Sequence, residues 1–381
     1  MKMNDSTDKR GKRPLLRWAV LCAAVLAAVA LAGLWQLDSM DSVRRLLSYG
    51  GERGETLHHY RYNRDSSNRF VLTQDGLGVL SRSDWTLYNS DGTERYHQQV
   101  SFQEPALCSG GNCVAAYDVG GEQLYLVQGD TLRLDYRTQE GQSILSARLS
   151  DSGWLTVVAG ETGYRATASV YDASGELAFV LRSSQHDLTD AVVTEDGKRV
   201  ILSELDAENG NFVNHLVVYP LDETEPCATG TLSDSLVWEL AEQDGRITAI
   251  CEEQLAVFDA EGSCKGSYLY GGGYLRDWDC AGEGFTLLQF GQYKSGSAGD
   301  LITVDASGKL SGSVPLHKEV LDLSAAGRYC AVLYADSLVL YTDTLTEYAV
   351  WDEIEDARGV LLREDGSLLL LGASQAWLVL P

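Results

Sequence analysis

The chain has 381 residues, of which 44% are hydrophobic and 22% charged, and its formal net charge at pH 7 is −25. This composition is typical of a folded protein and argues against intrinsic disorder. Such an acidic excess keeps a protein soluble and repels nucleic acid and anionic lipid, so we expect no nucleic-acid partner.

The first 37 residues predict a membrane anchor. Residues 1–17 hold six basic and two acidic side chains, whereas residues 18–37 hold no charged side chain. As a helix, this uncharged run spans about 30 Å, the thickness of a hydrocarbon core, with Trp18 and Trp35 near the two interfaces. Because basic residues lie only on the N-terminal side, we expect a cytoplasmic tail at 1–17, a single transmembrane helix at 18–37 and an extracytoplasmic remainder.

A cleaved signal peptide is the alternative for this segment. Ala30-Leu-Ala32 followed by Gly33 resembles a processing site. The apolar run is longer than the usual hydrophobic region of about 7–15 residues, which favours a retained signal-anchor. Residues 38–56, with glycines at 50, 51 and 54, are interpreted as a stem.

From residue 57 onward, short runs rich in Val, Leu, Tyr and Thr alternate with turn residues. Turn glycines that precede a strongly apolar strand recur at intervals of 34 to 48 residues: Gly76, Gly110, Gly153, Gly197, Gly245, Gly284, Gly327 and Gly366. Several units carry a second signature, an apolar strand that ends near Asp and Gly, as in Val170-Tyr-Asp-Ala-Ser-Gly175. Four strands per unit of about 40 residues is the pattern of a β-propeller blade.

Eight such units fit between residues 57 and 381, and seven blades is the alternative count. The last unit has only three strands, and the segment 57–63 lies outside the first unit. We expect 57–63 to pair antiparallel with 376–380 and to complete the last blade, because closing the ring removes exposed strand edges. The predicted fold class is therefore all-β, an eight-bladed β-propeller at 57–381 preceded by one transmembrane α-helix.

Nearly the whole chain after the predicted anchor resembles a known family, most strongly over residues 144–219. This region contains Leu149-Ser-Asp-Ser-Gly153, then Gly163-Tyr-Arg-Ala-Thr-Ala-Ser-Val-Tyr-Asp172, then Thr189-Asp-Ala-Val-Val-Thr-Glu-Asp-Gly-Lys198. These stretches resemble an uncharacterised family of bacterial, mainly Gram-positive, proteins classed as a domain of unknown function. The resemblance implies a membrane anchor followed by a propeller like those of the WD-repeat and quinoprotein groups. It implies no activity and carries no catalytic residue.

The sequence offers no motif for chemistry. His186, His215 and His317 lack metal-ligand spacing, and no Cys-x-x-Cys pair or Gly-x-Ser-x-Gly elbow occurs. The acidic stretch 206–211 lacks the spacing and terminal Glu of a calcium loop. We therefore predict no catalytic residue, no cofactor and no metal.

One pair of cysteines is a candidate disulfide. Seven cysteines follow the predicted anchor, and Cys108 and Cys113 are separated by Ser109-Gly-Gly-Asn112. This spacer is typical of a tight hairpin turn, so we expect the two cysteines to face each other across it and to pair under oxidising conditions.

Three connections between the second and third strands of a blade are predicted to be long, at 159–165, 206–214 and 291–300. Equivalent connections of a propeller emerge on the same face, and long loops on a rigid scaffold commonly carry binding residues. Tolerated surface insertion is the simpler alternative. The candidate binding residues in these loops are Tyr164, Arg165, Asn211, Phe212, Tyr293 and Lys294.

These observations favour a non-enzymatic binding or scaffolding propeller at the outer membrane surface. Its partner would be a protein, a peptide or a cell-envelope polymer. The alternatives are a propeller enzyme of the quinone-cofactor or hydrolytic type, and a sensor that signals through the short tail. Clustered acidic or histidine side chains at the central channel would favour the enzyme, whereas an open aromatic patch on the long-loop face would favour binding.

Overall fold

The structure is a computed structural model that describes residues 41, 44, 45, 49 and 59–381, with the exception of 209 and 234. The chain divides into two compact units, Met1–Arg53 and Gly54–Pro381. Residues 41, 44, 45 and 49 are helical. The predicted tail, the predicted transmembrane segment 18–37 and most of the stem lie outside the described residues. Within the described part, no helix is both long and apolar enough to span a bilayer.

The described part of the second unit forms eight four-stranded antiparallel sheets, the blades of a propeller. Blade 1 contains β2 (Arg69–Thr73), β3 (Gly76–Leu80), β4 (Asp84–Asn89) and β5 (Glu94–Gln99), and blade 2 contains β6 (Pro105–Gly110), β7 (Cys113–Asp118), β8 (Gln123–Gln128) and β9 (Thr131–Arg137). Blade 3 contains β10 (Ile144–Leu149), β11 (Leu155–Ala159), β12 (Ala166–Tyr171) and β13 (Leu177–Ser183), and blade 4 contains β14 (Asp187–Val193), β15 (Arg199–Glu208), β16 (Asn211–Pro220) and β17 (Ala228–Ser233). Blade 5 contains β18 (Val237–Gln243), β19 (Arg246–Cys251), β20 (Gln254–Asp259) and β21 (Cys264–Leu269), and blade 6 contains β22 (Tyr274–Asp279), β23 (Phe285–Gly291), β24 (Gly299–Asp305) and β25 (Leu310–Leu316). Blade 7 contains β26 (Val320–Ala326), β27 (Tyr329–Tyr334), β28 (Ser337–Thr342) and β29 (Glu347–Asp352), and blade 8 contains β30 (Gly359–Leu362), β31 (Leu368–Leu371), β32 (Gln375–Val379) and β1 (His59–Arg61).

Blade 8 closes the ring with strands from the two ends of the propeller. Its order is β30-β31-β32-β1, and β1 is antiparallel to β32 with Tyr60 opposite Ala376. Tyr60 is buried in an apolar cluster with Leu77 of blade 1 and Leu369 of blade 8. The predicted count of eight blades and the predicted closure are both confirmed, with His59–Arg61 as the described part of the closing strand.

The first strand of each blade is innermost, because first strands of neighbouring blades contact one another, as β10, β14 and β18 do. The middle strands are buried on both sides, since each blade packs between two others; β7, β12 and β27 have every residue buried. The fourth strands, such as β9, alternate between exposed and partly buried positions. This gradient explains the apolar runs that the sequence shows after each turn glycine.

The antiparallel order gives the propeller two different ends. Connections between the second and third strands, and those between successive blades, emerge at one end, which we call the loop face. Turns between the first and second strands, and between the third and fourth, emerge at the other end, which we call the turn face.

Candidate functional site

Two of the three predicted long loops are long connections on the loop face. Residues 160–165 join β11 to β12, and residues 292–298 join β23 to β24. The third prediction, a loop at 206–214, is wrong. There β15 and β16 continue as a ladder until Glu208 pairs with Asn211, so the connection is only 209–210.

Buried polar contacts explain this extended hairpin. Ser203 and Asn214 have no exposed surface, and the Ser203 hydroxyl donates to Asn214 Oδ1 at 3.0 Å. Asn214 Nδ2 donates in turn to the carbonyl of Ser235 in the next connection at 2.5 Å. A buried amide must be satisfied in this way. The network fixes the base of the hairpin, and Phe212 lies next to its tip.

The six candidate residues all lie on the loop face, in blades 3, 4 and 6. The aromatic side chains of Tyr164, Phe212 and Tyr293 are 43%, 54% and 63% exposed. Blades 3 and 4 are neighbours, and blade 5 separates blade 4 from blade 6. Their role in binding stays a prediction, but their placement on one face follows from the topology.

The loop at 160–165 is held by charged contacts. Arg182 Nε donates to both carboxylate oxygens of Glu161, at 2.8 and 2.9 Å, and the guanidinium lies 6.0 Å from the centre of the Tyr164 ring. The hydrogen bond from Arg182 lowers the pKa of Glu161. Arg165 Nη1 lies 2.8 Å from Asp187 Oδ2 at the start of blade 4. Tyr164 is therefore presented by a restrained loop.

Arg276 holds the loop at 292–298. Its guanidinium donates to the carbonyl of Gly296 at 2.5 Å and to the carbonyl of Tyr293 at 2.8 Å. These two bonds use the loop's backbone and leave the side chains of Tyr293 and Lys294 exposed.

The innermost first strands surround the central channel of the propeller. A β-bulge repeats in the first strand of five consecutive blades, near the end of this channel on the loop face. The register shifts between residues 144 and 146, 188 and 190, 237 and 239, 275 and 277, and 320 and 322. Bulges re-aim side chains, and three of the bulged residues, Leu145, Trp238 and Leu321, are large apolar groups that are 46%, 40% and 42% exposed. Trp238 lies beside Trp278, with ring centroids 5.8 Å apart. This group of exposed apolar residues at the channel mouth was not predicted from the sequence.

The residue after the bulge is acidic in four of these blades: Asp190, Glu239, Asp277 and Asp322. Arg148 of blade 3 connects two of them. Its guanidinium lies 2.9 Å from Asp190 Oδ2 and 3.2 Å from Glu239 Oε1, and Trp278 Nε1 donates to Glu239 Oε2 at 2.9 Å. One polar chain therefore runs around the channel across blades 3 to 6.

Most of the channel carboxylates also join neighbouring blades. Asp190 accepts from the backbone N–H of Leu240 at 2.9 Å. Further along the ring, Asp279 accepts from Ala325 at 2.8 Å and Asp322 accepts from Val360 at 2.7 Å. The acidic cluster that would favour an enzyme is thus present, but its carboxylates are engaged in blade-to-blade contacts. Among the described residues, no group of His, Cys, Asp and Glu is arranged to hold a metal ion.

Burial raises the pKa of three of the channel carboxylates, Asp277, Asp279 and Asp322. It raises the pKa of Asp279 to about 6 and that of Asp322 to about 7, and the bonds from Ala325 and Val360 only partly offset the effect. For Arg148, burial acts to lower the pKa, but the charges of Asp190 and Glu239 raise it overall.

The cysteine pair does not have the predicted geometry. Residues 111 and 112 form a two-residue turn, so Gly110 lies opposite Cys113 and Cys108 lies opposite Ala115. The prediction that the two cysteines face each other is wrong. They are diagonal neighbours, whose Cα atoms are normally about 7–8 Å apart, beyond the usual reach of a disulfide. Both thiols are free.

Exposed apolar side chains are distributed unevenly between the two faces. Most of the large exposed apolar residues of the described part lie in loop-face connections or at loop-face strand ends: Val119, Leu145, Tyr164, Phe212, Trp238, Leu269, Tyr274, Tyr293 and Leu321. Leu132, Leu177 and Leu310 lie near the turn-face ends of fourth strands. Clustered exposed apolar surface on a soluble domain marks an interaction site.

Comparisons with known proteins agree with this architecture. A model of a family of unknown function (DUF5711) matches residues 52–263. The C-terminal WD40 domain of Sif2 is similar in structure, with a TM-score of 0.57 and 11% identity over 86% of this chain and 97% of that domain. The computationally designed protein Ika8 has a TM-score of 0.61 and 12% identity over 86% of this chain and all of its own. At such identities the likeness shows the fold alone. None of the curated proteins compared with the chain matches it significantly.

Proposed function

Because the chain belongs to DUF5711, a family of unknown function, and folds as a WD40-like propeller, we propose that it is a non-enzymatic binding or scaffolding module. Its loop face would contact a protein, a peptide or a cell-envelope polymer. The observation that carries this proposal is the gathering of exposed apolar side chains on the loop face. Large aromatic side chains are the commonest energetic anchors of protein interfaces.

The restraint of the loops supports the same proposal. Binding is weakened when mobile side chains and loops must be ordered. Tyr164 lies in a loop tied by Arg165 and Arg182, Tyr293 in a loop tied by Arg276, and Phe212 next to the tip of a hairpin with a buried polar base. Little conformational entropy would therefore be lost when a partner docks on these aromatic groups.

The channel carboxylates supply the one observation that favours the alternative, an enzyme. Asp190, Asp279 and Asp322 each accept a backbone N–H from the next blade, and Glu239 is held by Arg148 and Trp278. These contacts explain the acidic groups of the channel as residues that hold neighbouring blades together through hydrogen bonds and ion pairs. The binding module therefore remains the function that the geometry supports best.

We also propose that residues 18–37 keep the protein in the cell membrane, with the N-terminus cytoplasmic and the propeller outside the membrane. The uncharged run of 20 residues and the basic residues that precede it support this topology. Membrane fractionation should find the intact chain in the membrane pellet after a carbonate wash. A mature soluble protein that begins at Gly33 would contradict the anchor.

The binding proposal is tested by replacing the three loop-face aromatic residues together, as Tyr164→Ala, Phe212→Ala and Tyr293→Ala. The matched control removes exposed apolar groups near the turn face, as Leu132→Ala, Leu177→Ala and Leu310→Ala. Both full-length variants should keep the wild-type melting temperature within a few degrees. In quantitative affinity purification from solubilised membranes, partners held by the wild type should be reduced about tenfold or more by the loop-face variant. They should be unchanged in the control. A well-folded loop-face variant that retains every partner would overturn the proposal.

A further inference from the structure

A cavity of about 600 Å³ opens beside the channel on the loop face, between blade 1 and blades 6 to 8. This volume is within the range of about 300–1,000 Å³ that small-molecule sites occupy. Its wall includes the side chains of Phe70, Leu321 and Leu361. The cavity is separate from the aromatic residues of blades 3, 4 and 6.

Three arginines line this cavity: Arg64 in the connection between blades 8 and 1, Arg69 at the start of β2, and Arg358 immediately before β30. All three are exposed. Within the part of the chain that the structure describes, none of them forms an ion pair. The guanidinium of Arg69 donates a long hydrogen bond of 3.5 Å to the neighbouring carbonyl of Asn68.

Two other exposed arginines on the same face have acidic partners. Arg82 lies 3.8 Å from Glu104, and Arg165 lies 2.8 Å from Asp187. The chain has 55 acidic and 30 basic residues, so acidic partners are abundant. Three cations without such a partner, gathered around one cavity, are suited to an anion supplied from outside. A guanidinium binds carboxylate and phosphate oxygens through paired hydrogen bonds.

We propose that this cavity binds a small polar ligand through an oxyanion, a carboxylate or a phosphate, held between Arg64, Arg69 and Arg358. Asp322 and Asp279 form the deeper part of the site. There they would accept hydrogen bonds from hydroxyl or amino groups of the same ligand, beyond their bonds to Val360 and Ala325.

The deep carboxylates make this binding depend on pH. The charged groups around them are Asp277 and Glu239 within the channel, and Asp65 with the three arginines at the cavity mouth. Because burial raises the pKa of Asp279 to about 6 and of Asp322 to about 7, both carry negative charge at pH 8 and lose most of it near pH 5.5. An anion in the cavity is then repelled less, so affinity should rise as the pH falls.

The test is isothermal titration calorimetry on the full-length chain in detergent, with inorganic phosphate, sulfate and galacturonate as probes. At least one probe should bind at a single site. The variant R64Q/R69Q/R358Q should lose about tenfold or more of that affinity, and R64K/R69K/R358K should be intermediate because lysine keeps the charge without the paired geometry. The control R82Q removes one paired arginine from the same face and should bind as the wild type does.

The two oxyanion classes are separated by comparing phosphate with galacturonate at pH 7.5. The pH dependence is measured with sulfate, which keeps its charge between pH 5.5 and 8. Sulfate should bind several-fold more tightly at pH 5.5, and this difference should shrink in Asp322→Asn. No binding of any probe, or equal affinity in R64Q/R69Q/R358Q and the wild type, would overturn the site. Neither result would bear on partner docking at Tyr164, Phe212 and Tyr293.

Discussion

The two faces of the propeller are built from the same eight blades but under different constraints. On the turn face, an added Cβ at Gly175 would lie 2.6 Å from the Arg133 carbonyl oxygen, and at Gly308 it would lie 2.6 Å from the Ser267 backbone nitrogen. Both neighbours belong to the preceding blade. On the loop face, Gly163 and Gly210 have no atom within 4 Å of such a Cβ. At these positions the turn face packs blade against blade, whereas the loop face has open space of the kind in which binding residues are normally placed.

Some of the acidic residues have a structural role in the turns of the turn face. In the third-to-fourth-strand turns, Asp172 and Asp305 accept backbone hydrogen bonds from the residues two and four positions later. Although burial acts to raise the pKa of Asp172 and Asp305, these backbone hydrogen bonds and those from the hydroxyl groups of Ser174 and Ser307 lower it overall. Part of the net charge of −25 is therefore a requirement of turn geometry and says nothing about partners.

The largest expected effect comes from opening the ring of blades, which would disrupt both faces. A variant that begins at Ser66 lacks β1, so Tyr60 no longer covers Leu77 and Leu369, and the edge of β32 is exposed. We expect a loss of several kcal/mol and aggregation. A variant that begins at Gly50 keeps β1 and should remain a stable monomer. Thermal unfolding and size-exclusion chromatography compare the two, and equal behaviour would refute the closure.

A glycine pair tests the difference in constraint between the faces. Gly308→Ala should destabilise by about 2–4 kcal/mol, because a left-handed backbone with φ of 76° is combined with a clash against the blade 5 backbone. Gly163→Ala, with φ of 94° but open space, should cost only about 1 kcal/mol. Urea denaturation of both variants measures this. Equal costs would show that the turn face is not the more constrained one.

Asp322→Asn tests how a buried carboxyl group in the channel between the two faces affects stability at different pH values. A carboxyl whose pKa is raised in the folded state contributes stability at low pH and loses it as the pH rises through that value, which is about 7 for Asp322. The amide oxygen can still accept from Val360. We therefore expect the wild type to lose about 2–3 kcal/mol of stability relative to the variant between pH 5 and pH 8, which leaves the variant the more stable of the two at pH 8. Melting curves across this pH range check the sign, and a variant that is less stable at pH 8 would contradict it.

The smallest effect concerns thiol reactivity and should leave stability unchanged. Cys227 and Cys264 are exposed on turn-face segments, whereas burial raises the pKa of Cys108 and Cys251 to about 12. Since the thiolate is the reactive form, a maleimide should label only the two exposed cysteines of the described part under native conditions. Mass spectrometry locates the labels. Partner binding should survive, because the adducts lie away from the loop face; its loss would place the partner on the turn face.

Much of the fold was predictable because each blade repeats its own local signals. The turn glycines gave the number of blades, and the unpaired segment at 57–63 gave the closure. The extended hairpin was missed because Asp206-Ala-Glu-Asn-Gly-Asn211 has the composition of a loop, while the contact that extends the ladder is the distant pairing of Asn214 with Ser235. The cysteine register was missed because both a two-residue turn and a four-residue turn fit the spacer.

The site was only partly predictable. The three loop-face aromatic residues were accessible because loop length is a local property. The arginine-lined cavity was not, since Arg64, Arg69 and Arg358 come from opposite ends of the propeller sequence and meet only when the ring closes. One signal was available: an aromatic or leucine one residue before an acidic residue at the start of a first strand, as at Trp238 and Leu321, marks the bulged channel mouth.

Site-specific photocrosslinking in the full-length protein can show whether the loop face is the binding face. A photoreactive phenylalanine is placed at Phe212 or Tyr293 on the loop face, and at Leu177 or Leu310 near the turn face. All four side chains are more than half exposed, so the probes are equally accessible. We expect discrete crosslinked species from Phe212 and Tyr293 and none from Leu177 and Leu310. Crosslinks that arise from the turn-face positions alone would contradict it.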